Sequence, residues 1–531
     1  MKRHLGGAAG SRWRHAALAV LALWPHAVRC ANTVVESSSD VGAGDLNYVT
    51  AYYAWVGGGS DNTIHSDWGT IAGGLANRAN AFAAAVGGGE SNTVTGSCAD
   101  VAGGRGNAAR SSYVAIAGGY HNTVRASGGA VAGGRSNDVN ASWGTVGGGS
   151  YNTVLGALGA IGGGTANMVN GYASTVAGGH ENFAGGYSSV VGGGTFNTVE
   201  GTLGAVGGGS GNIVDEYGGT VGGGVQNAAK VYAVVGGGYG NNASGRHAAV
   251  SGGDDNLASG YSCVVSGGSS NSVGAVLGAV GGGSSNVVSG YAGTVPGGLH
   301  NTVDGVAGNI GGGQNNTVLG NATVIGGGDS NYADGLGAVV AGGHDNTVSG
   351  KWGVVGGGHG NIASGLASTT GGGVGNTAVG SHGVVGGGQS NQAWLAYSTV
   401  SGGFQNAAYY MSAVAGGKLN RAFGSYGAIG GGVAGFVYGY CGAVGGGHHN
   451  TAHGDWSTIA GGRYNLVQHW SAVGGGQYNS AYGQYATISG GSANLNYGYG
   501  GTFQQLGDCR GKQQHGQRRL GLNCWGSRQC R

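Results

Sequence analysis

Asparagine recurs at 32, 47, 62, 77, 92, 107, 122, 137, 152, 167, 182, 197, 212 and 227, a period of fifteen without slippage. After single-residue contractions to Asn241, Asn420 and Asn479 the register continues to Asn494. Of the 30 anchor positions from 62 to 494, only Gly435 departs from Asn. A Gly-Gly pair stands three and four residues before each anchor in that span. The residue six before is Val or Ile, as in Val56, Ile71 and Val86, with Thr370 the exception. A small apolar residue, usually Ala or Val, stands two after.

One unit, "NTIHSDWGTIAGGLAN" from Asn62 to Asn77, therefore reads as two short strands and two turns. β-branched residues favour extended backbone, and the glycine pair marks a turn needing positive φ or close backbone approach. No unit can bury a core alone. Stacked units can pair each strand with its copies above and below at about 4.8 Å, which predicts an all-β solenoid of about 31 coils and a rod roughly 150 Å long. Its core is thin, built from the Val/Ile and Ala/Val columns. A stacked Asn amide can donate to one neighbour and accept from the other, so a ladder is expected; tolerance of a left-handed turn is the competing reason for Asn. The contractions, in "AAKVYAVVGGG", "AAYYMSAVAGG" and "LVQHWSAVGGG", are expected within turns.

Composition narrows the function classes. Glycine supplies 132 of 531 residues and proline only 2, so neither collagen nor a Pro-rich disordered chain fits. Charged residues are 8% and the net charge is +2, which removes the electrostatic case for nucleic acid. The N-terminus is different: Lys2, Arg3, Arg12 and Arg14 precede the apolar run "AALAVLALW", which is too short to span a bilayer. It reads as a signal peptide over 1–30, cleaved before Ala31, and predicts a secreted or surface protein.

Runs such as "NTVSGKWGVVGGG" (346–358) and "NIASGLASTTGGG" (361–373) resemble the YadA-like head repeats of trimeric autotransporter adhesins. The resemblance covers about 31–503 and implies a left-handed parallel β-roll, an elongated surface or matrix binder and a trimer. The adhesin unit is usually a residue shorter, and the heptad stalk and C-terminal membrane barrel of that family have no counterpart here, so the resemblance implies no means of anchoring.

The pattern offers few chemical sites. His180, His344, His359 and His448 each stand two before an anchor, and His344 and His359 fall on adjacent coils within metal-binding reach of one another. The same position holds Ser, Thr, Arg and Gln elsewhere, so these histidines read as variable turn residues, as does "HHN" at 448–450 with His453 nearby. The acidic spots "GDDN" (253–256) and "DE" (215–216) are too few for a calcium roll, and the GGG strings lack the Lys-Ser/Thr of a phosphate loop. No catalytic, cofactor or metal residues are therefore assigned, and no cofactor is expected. Cys98, Cys263 and Cys441 are too many coils apart to pair. Asn140, Asn242, Asn315 and Asn321 begin glycosylation sequons.

Trp68, Tyr113, Trp143 and Trp352, each six after an anchor, either offer a sticky face or pack against neighbouring coils or protomers. The expected function is a structural or adhesive secreted protein without catalytic activity, with self-association, glycans and cell-surface components as partners. Ice binding by Thr rows and a carbohydrate-active β-helix enzyme are the alternatives. Residues 504–531 leave the register and carry five Arg and three Cys: Cys509, Cys524 and Cys530. Back-translated and shifted by one nucleotide, they yield "NTANAAWASTVGGLAN", the spacing of the repeat, so this tail is expected to be repeat read out of frame.

Overall fold

The computed structural model describes residues 32–500 and the strand Thr502–Phe503. The expected signal peptide and the out-of-register tail lie outside the described residues. The chain divides into two compact units, Met1–Tyr151 and Asn152–Arg531. Each is a parallel β-solenoid built from the same coil, and among the described residues no helix is long and apolar enough to cross a membrane.

In the coil from Asn62 to Asn77, the strands are Thr63–Ile64 and Thr70–Ile71. Each is two residues long, so the side-chain alternation of a strand gives one outward and one inward residue. Thr63 and Thr70 face out, while Ile64 and Ile71 are fully buried. Stacking is in register: Thr63 pairs Arg78, Ile64 pairs Ala79, Thr70 pairs Ala85 and Ile71 pairs Val86, all parallel. The two expected core columns are therefore present in both units. In the second unit they form a continuous seam, from Ala378 and Val385 to Ala481 and Ile488.

Two further columns complete the coil. Seven residues after the anchor, or six in a contracted coil, sits an inward corner of small residues, such as Ala84, Ala99 and Cys263, with Ser174, Thr323 and Ser471 at the same place. Some hydroxyls there are satisfied by the neighbouring coil, as Ser174 Oγ donates to the Gly186 carbonyl at 2.6 Å and Thr323 Oγ1 to that of Gly335 at 2.7 Å. Ser398 Oγ instead donates within its own coil to the Leu395 carbonyl at 2.6 Å, and Ser368 Oγ is buried without a partner among the described residues. Two residues before each anchor runs a third line of backbone pairing, as in Ser60, Leu75 and Glu90. Sequence pattern assigned these positions to variable turns; their backbones instead pair like strand residues while their side chains vary, so no apolar periodicity marked them.

The Asn ladder is complete in its chemistry. Asn62 donates its backbone N–H and Nδ2 to Asn47 Oδ1, both at 3.0 Å, and Nδ2 also reaches the carbonyls of Gly58 at 3.1 Å and Gly74 at 3.0 Å. Asn62 Oδ1 in turn accepts from the Asn77 N–H at 3.1 Å. The amide is buried yet fully partnered, as burial of a polar group requires. The competing explanation fails, because positive φ falls on the residue before the anchor, such as Asp61 at 58° and Ala76 at 57°, and not on the anchors themselves. In this coil only the second glycine of the pair is sterically required, although in others, such as Gly312 at 145° and Gly357 at 134°, the first also takes a positive φ. Gly74 has φ 100° and a Cβ there would lie 2.1 Å from the Gly89 carbonyl oxygen, whereas a Cβ on Gly73 meets no atom closer than 3.9 Å.

The exceptions are explained locally. Thr370 replaces a core Val, and its Oγ1 donates to the Ile362 carbonyl at 3.0 Å. The contraction at Asn241 drops one residue from the turn Lys230–Ala233 and leaves both ladders intact, with the Asn241 N–H 3.0 Å from Asn227 Oδ1. At Gly435 the ladder is broken: its N–H still donates to Asn420 Oδ1 at 2.8 Å, but it offers no acceptor upward. The Asn450 N–H has no hydrogen-bond partner among the described residues.

Candidate functional site

The turn opposite the Gly-Asn edge is where side chains accumulate on the surface. In each coil from Asn47 onward the residue six after the anchor, or five in a contracted coil, has φ between 50° and 70°. This is the φ of the third position of a type II turn, ordinarily Gly or Asn. Here it carries Tyr53, Trp68, Tyr113, Trp143, Trp352, Tyr397, Tyr426, Trp456, Trp470 and Tyr485 as well as Ala, Leu, Ser and Gly. Its N–H donates to the coil below, as Trp68 does to the Tyr52 carbonyl at 3.0 Å. That bond between turns of adjacent coils holds the strained conformation in place, and the side chain is left projecting outward.

The four aromatics singled out from sequence are all exposed: Trp68 by 54%, Tyr113 by 67%, Trp143 by 62% and Trp352 by 55%. Trp68 stacks on Tyr53 at 4.7 Å, and Lys351 lies over the Trp352 ring at 4.2 Å. The longer array was missed. Tyr426, Tyr440, Trp456, Trp470, Tyr485 and Tyr499 form a continuous row in the second unit, with successive centroids 5.4, 5.8, 5.7, 5.7 and 5.6 Å apart. Its signal in the sequence was a run of aromatics 14 to 16 residues apart, blurred because Tyr440 and Tyr499 stand one residue before the others and Trp470 lies in a contracted coil.

The histidines lie on the bridge column. His344 and His359 are paired across adjacent coils with ring centroids 5.1 Å apart, and the Asp345 carboxylate lies 3.4 Å from His344 Nε2 and 3.8 Å from His359 Nε2. His180 contacts Glu181 at 3.7 Å and the edge of Phe196. His448 packs on His449 and Tyr464, with His453 against Tyr438 rather than with them. The His448 Nδ1 is buried without a partner, and burial first, then His449 and Arg463, pushes its pKa down.

The remaining candidates stay apart. Asp254 and Asp255 are exposed, and Glu216 pairs with Lys230 at 3.7 Å. Cys98, Cys263 and Cys441 are free thiols; Cys263 occupies the inward corner and burial raises its pKa. Of the sequon asparagines, Asn140, Asn315 and Asn321 are exposed, while Asn242 is half-buried within a strand. No protein-family model and no characterised protein matches the chain.

Proposed function

We propose that this chain is a secreted structural or adhesive protein of a cell surface or extracellular matrix, that it has no catalytic activity, and that its aromatic edge engages glycans or other surface components. The observation that carries this reading is the six-ring row from Tyr426 to Tyr499, in which every ring is between 45% and 77% exposed. Exposed contiguous apolar surface of this kind marks interaction sites. The rings repeat at about the coil spacing, edge-on between Tyr426 and Tyr440, Tyr440 and Trp456, and Tyr485 and Tyr499, and closer to parallel between Trp456, Trp470 and Tyr485. Their tyrosine hydroxyls and indole N–H groups can hydrogen-bond a polar ligand. The likeness to YadA-like heads supports the same reading, and lateral assembly or trimerisation through this edge is its self-binding form.

The ice-binding alternative needs a flat Thr array. Thr302 and Thr317 pair directly, but the column continues with Tyr332. Thermal hysteresis tests that alternative and polysaccharide turnover tests the carbohydrate-active one.

The direct experiment is binding of the full chain to a glycan array and to intact cells, compared with the double variant Trp456→Gly, Trp470→Gly. Glycine is native at the same turn position in Gly128 and Gly337, so the coil is preserved. Loss of binding in the variant is expected; equal binding by both chains overturns the assignment of the edge.

A further inference from the structure

We propose that His344, Asp345 and His359 form a surface site for one divalent transition-metal ion of the zinc, nickel or copper type. One ligand atom from each residue lies within 4.8 Å of the other two. The two measured separations, 3.4 and 3.8 Å, are close to the edge of a tetrahedron whose metal-to-nitrogen distance is about 2.0–2.1 Å, which is about 3.4 Å. Small rotations of exposed side chains close the remainder. Two imidazoles and one carboxylate suit borderline ions and are a poor match for calcium or magnesium, which take oxygen ligands. The remaining coordination positions open to water.

The backbone fixes the site. His344 and His359 are partners in a parallel bridge, with their N–H groups on the Gly358 and Gly373 carbonyls, both at 2.9 Å. Asp345 follows His344 with φ 55°, and its N–H donates to the Asp329 carbonyl at 3.0 Å. The coil rise thus sets the imidazole spacing, and the left-handed residue turns the carboxylate toward both rings. Asp329 is the bridge partner of His344 on the other side. Its carboxylate accepts from Ser330 Oγ at 2.9 Å and adds negative charge beside the site. No other pair of bridge-column histidines occurs on successive coils within the described residues, so the arrangement is particular to this place.

The test is calorimetric titration of the full chain with Ni²⁺ alone. His344→Ser and His359→Ser install the residue found at this column in Ser60, Ser269 and Ser284, so the coil keeps its native alternatives, and circular dichroism verifies it. Each is expected to remove one metal equivalent. Asp345→Asn, the residue native at the same position in Asn315, replaces a carboxylate ligand with a neutral amide and is expected to weaken that equivalent. His448→Gln is expected to leave it unchanged. Identical isotherms for the parent and both histidine variants, or loss of the equivalent in His448→Gln instead, overturn the site.

Discussion

The two edges of the coil use the same backbone device for opposite ends. On the Gly-Asn edge a left-handed residue precedes each anchor, the Asn turns inward, and its amide ties three coils together. On the opposite edge a left-handed residue projects outward and its identity is nearly free, from Gly128 to Trp143. Only the first edge is constrained by chemistry, because a buried amide must find all its partners whereas an exposed ring need find none. A solenoid can therefore hold its fold with one edge and vary its surface with the other.

The sharpest break in that comparison is within the glycine pair. Gly283→Ala places a Cβ 2.0 Å from the Gly298 carbonyl oxygen at φ 83°, and is expected to cost about 4 kcal/mol. Gly282→Ala meets no atom within 4 Å and is expected to change stability by less than about 1 kcal/mol. Urea unfolding midpoints of the two variants check this. Next, Asn286→Ala leaves the Asn301 N–H and the Gly282 and Gly298 carbonyls without that partner; about 3 kcal/mol of stability should be lost, read from the same midpoints. Gly435→Asn works in reverse. A Cβ there would lie 3.1 Å from Asn420 Oδ1, a tight contact that a small shift of that side chain relieves, and restoring the rung should add about 1–2 kcal/mol.

On the variable edge the effects shrink. Trp470→Gly loses ring stacking on Trp456 but relieves a left-handed tryptophan, so stability should move by less than about 1 kcal/mol. A larger fall in melting temperature would show that this edge also holds the fold. The smallest effect concerns His448. Its folded pKa is lowered, so the unfolded chain binds more protons and stability falls as pH drops through the ordinary histidine range; above that range it is flat. His448→Gln should flatten part of that decline in melting temperature on acidification.

How legible each edge was follows from the same contrast. The Asn anchors, the Gly-Gly turn and the Val/Ile column repeat because burial and partnering leave no alternative, and they predicted the coil, its two strands and the ladder. The inward corner was harder to read, since Ala84, Ser174 and Cys263 share only smallness. The bridge column at Leu75 and His344 was read as a turn because its pairing is made by backbone alone and leaves side chains unconstrained. The aromatic row escaped for a related reason: positive φ at Trp456 and Trp470 runs against residue preference, and no local rule places a tryptophan there.

The central claim is that each anchor N–H is held by the Asn side chain of the coil below. Native-state amide hydrogen exchange resolved to single residues tests it. Slow exchange is predicted at anchors such as Asn62, Asn286 and Asn494, whose N–H groups donate to Oδ1 of Asn47, Asn271 and Asn479 at 3.0 Å, with fast exchange at Asn450 above the missing rung. Protection of Asn450 equal to that of its neighbouring anchors, or rapid exchange at the anchors in general, would contradict the ladder.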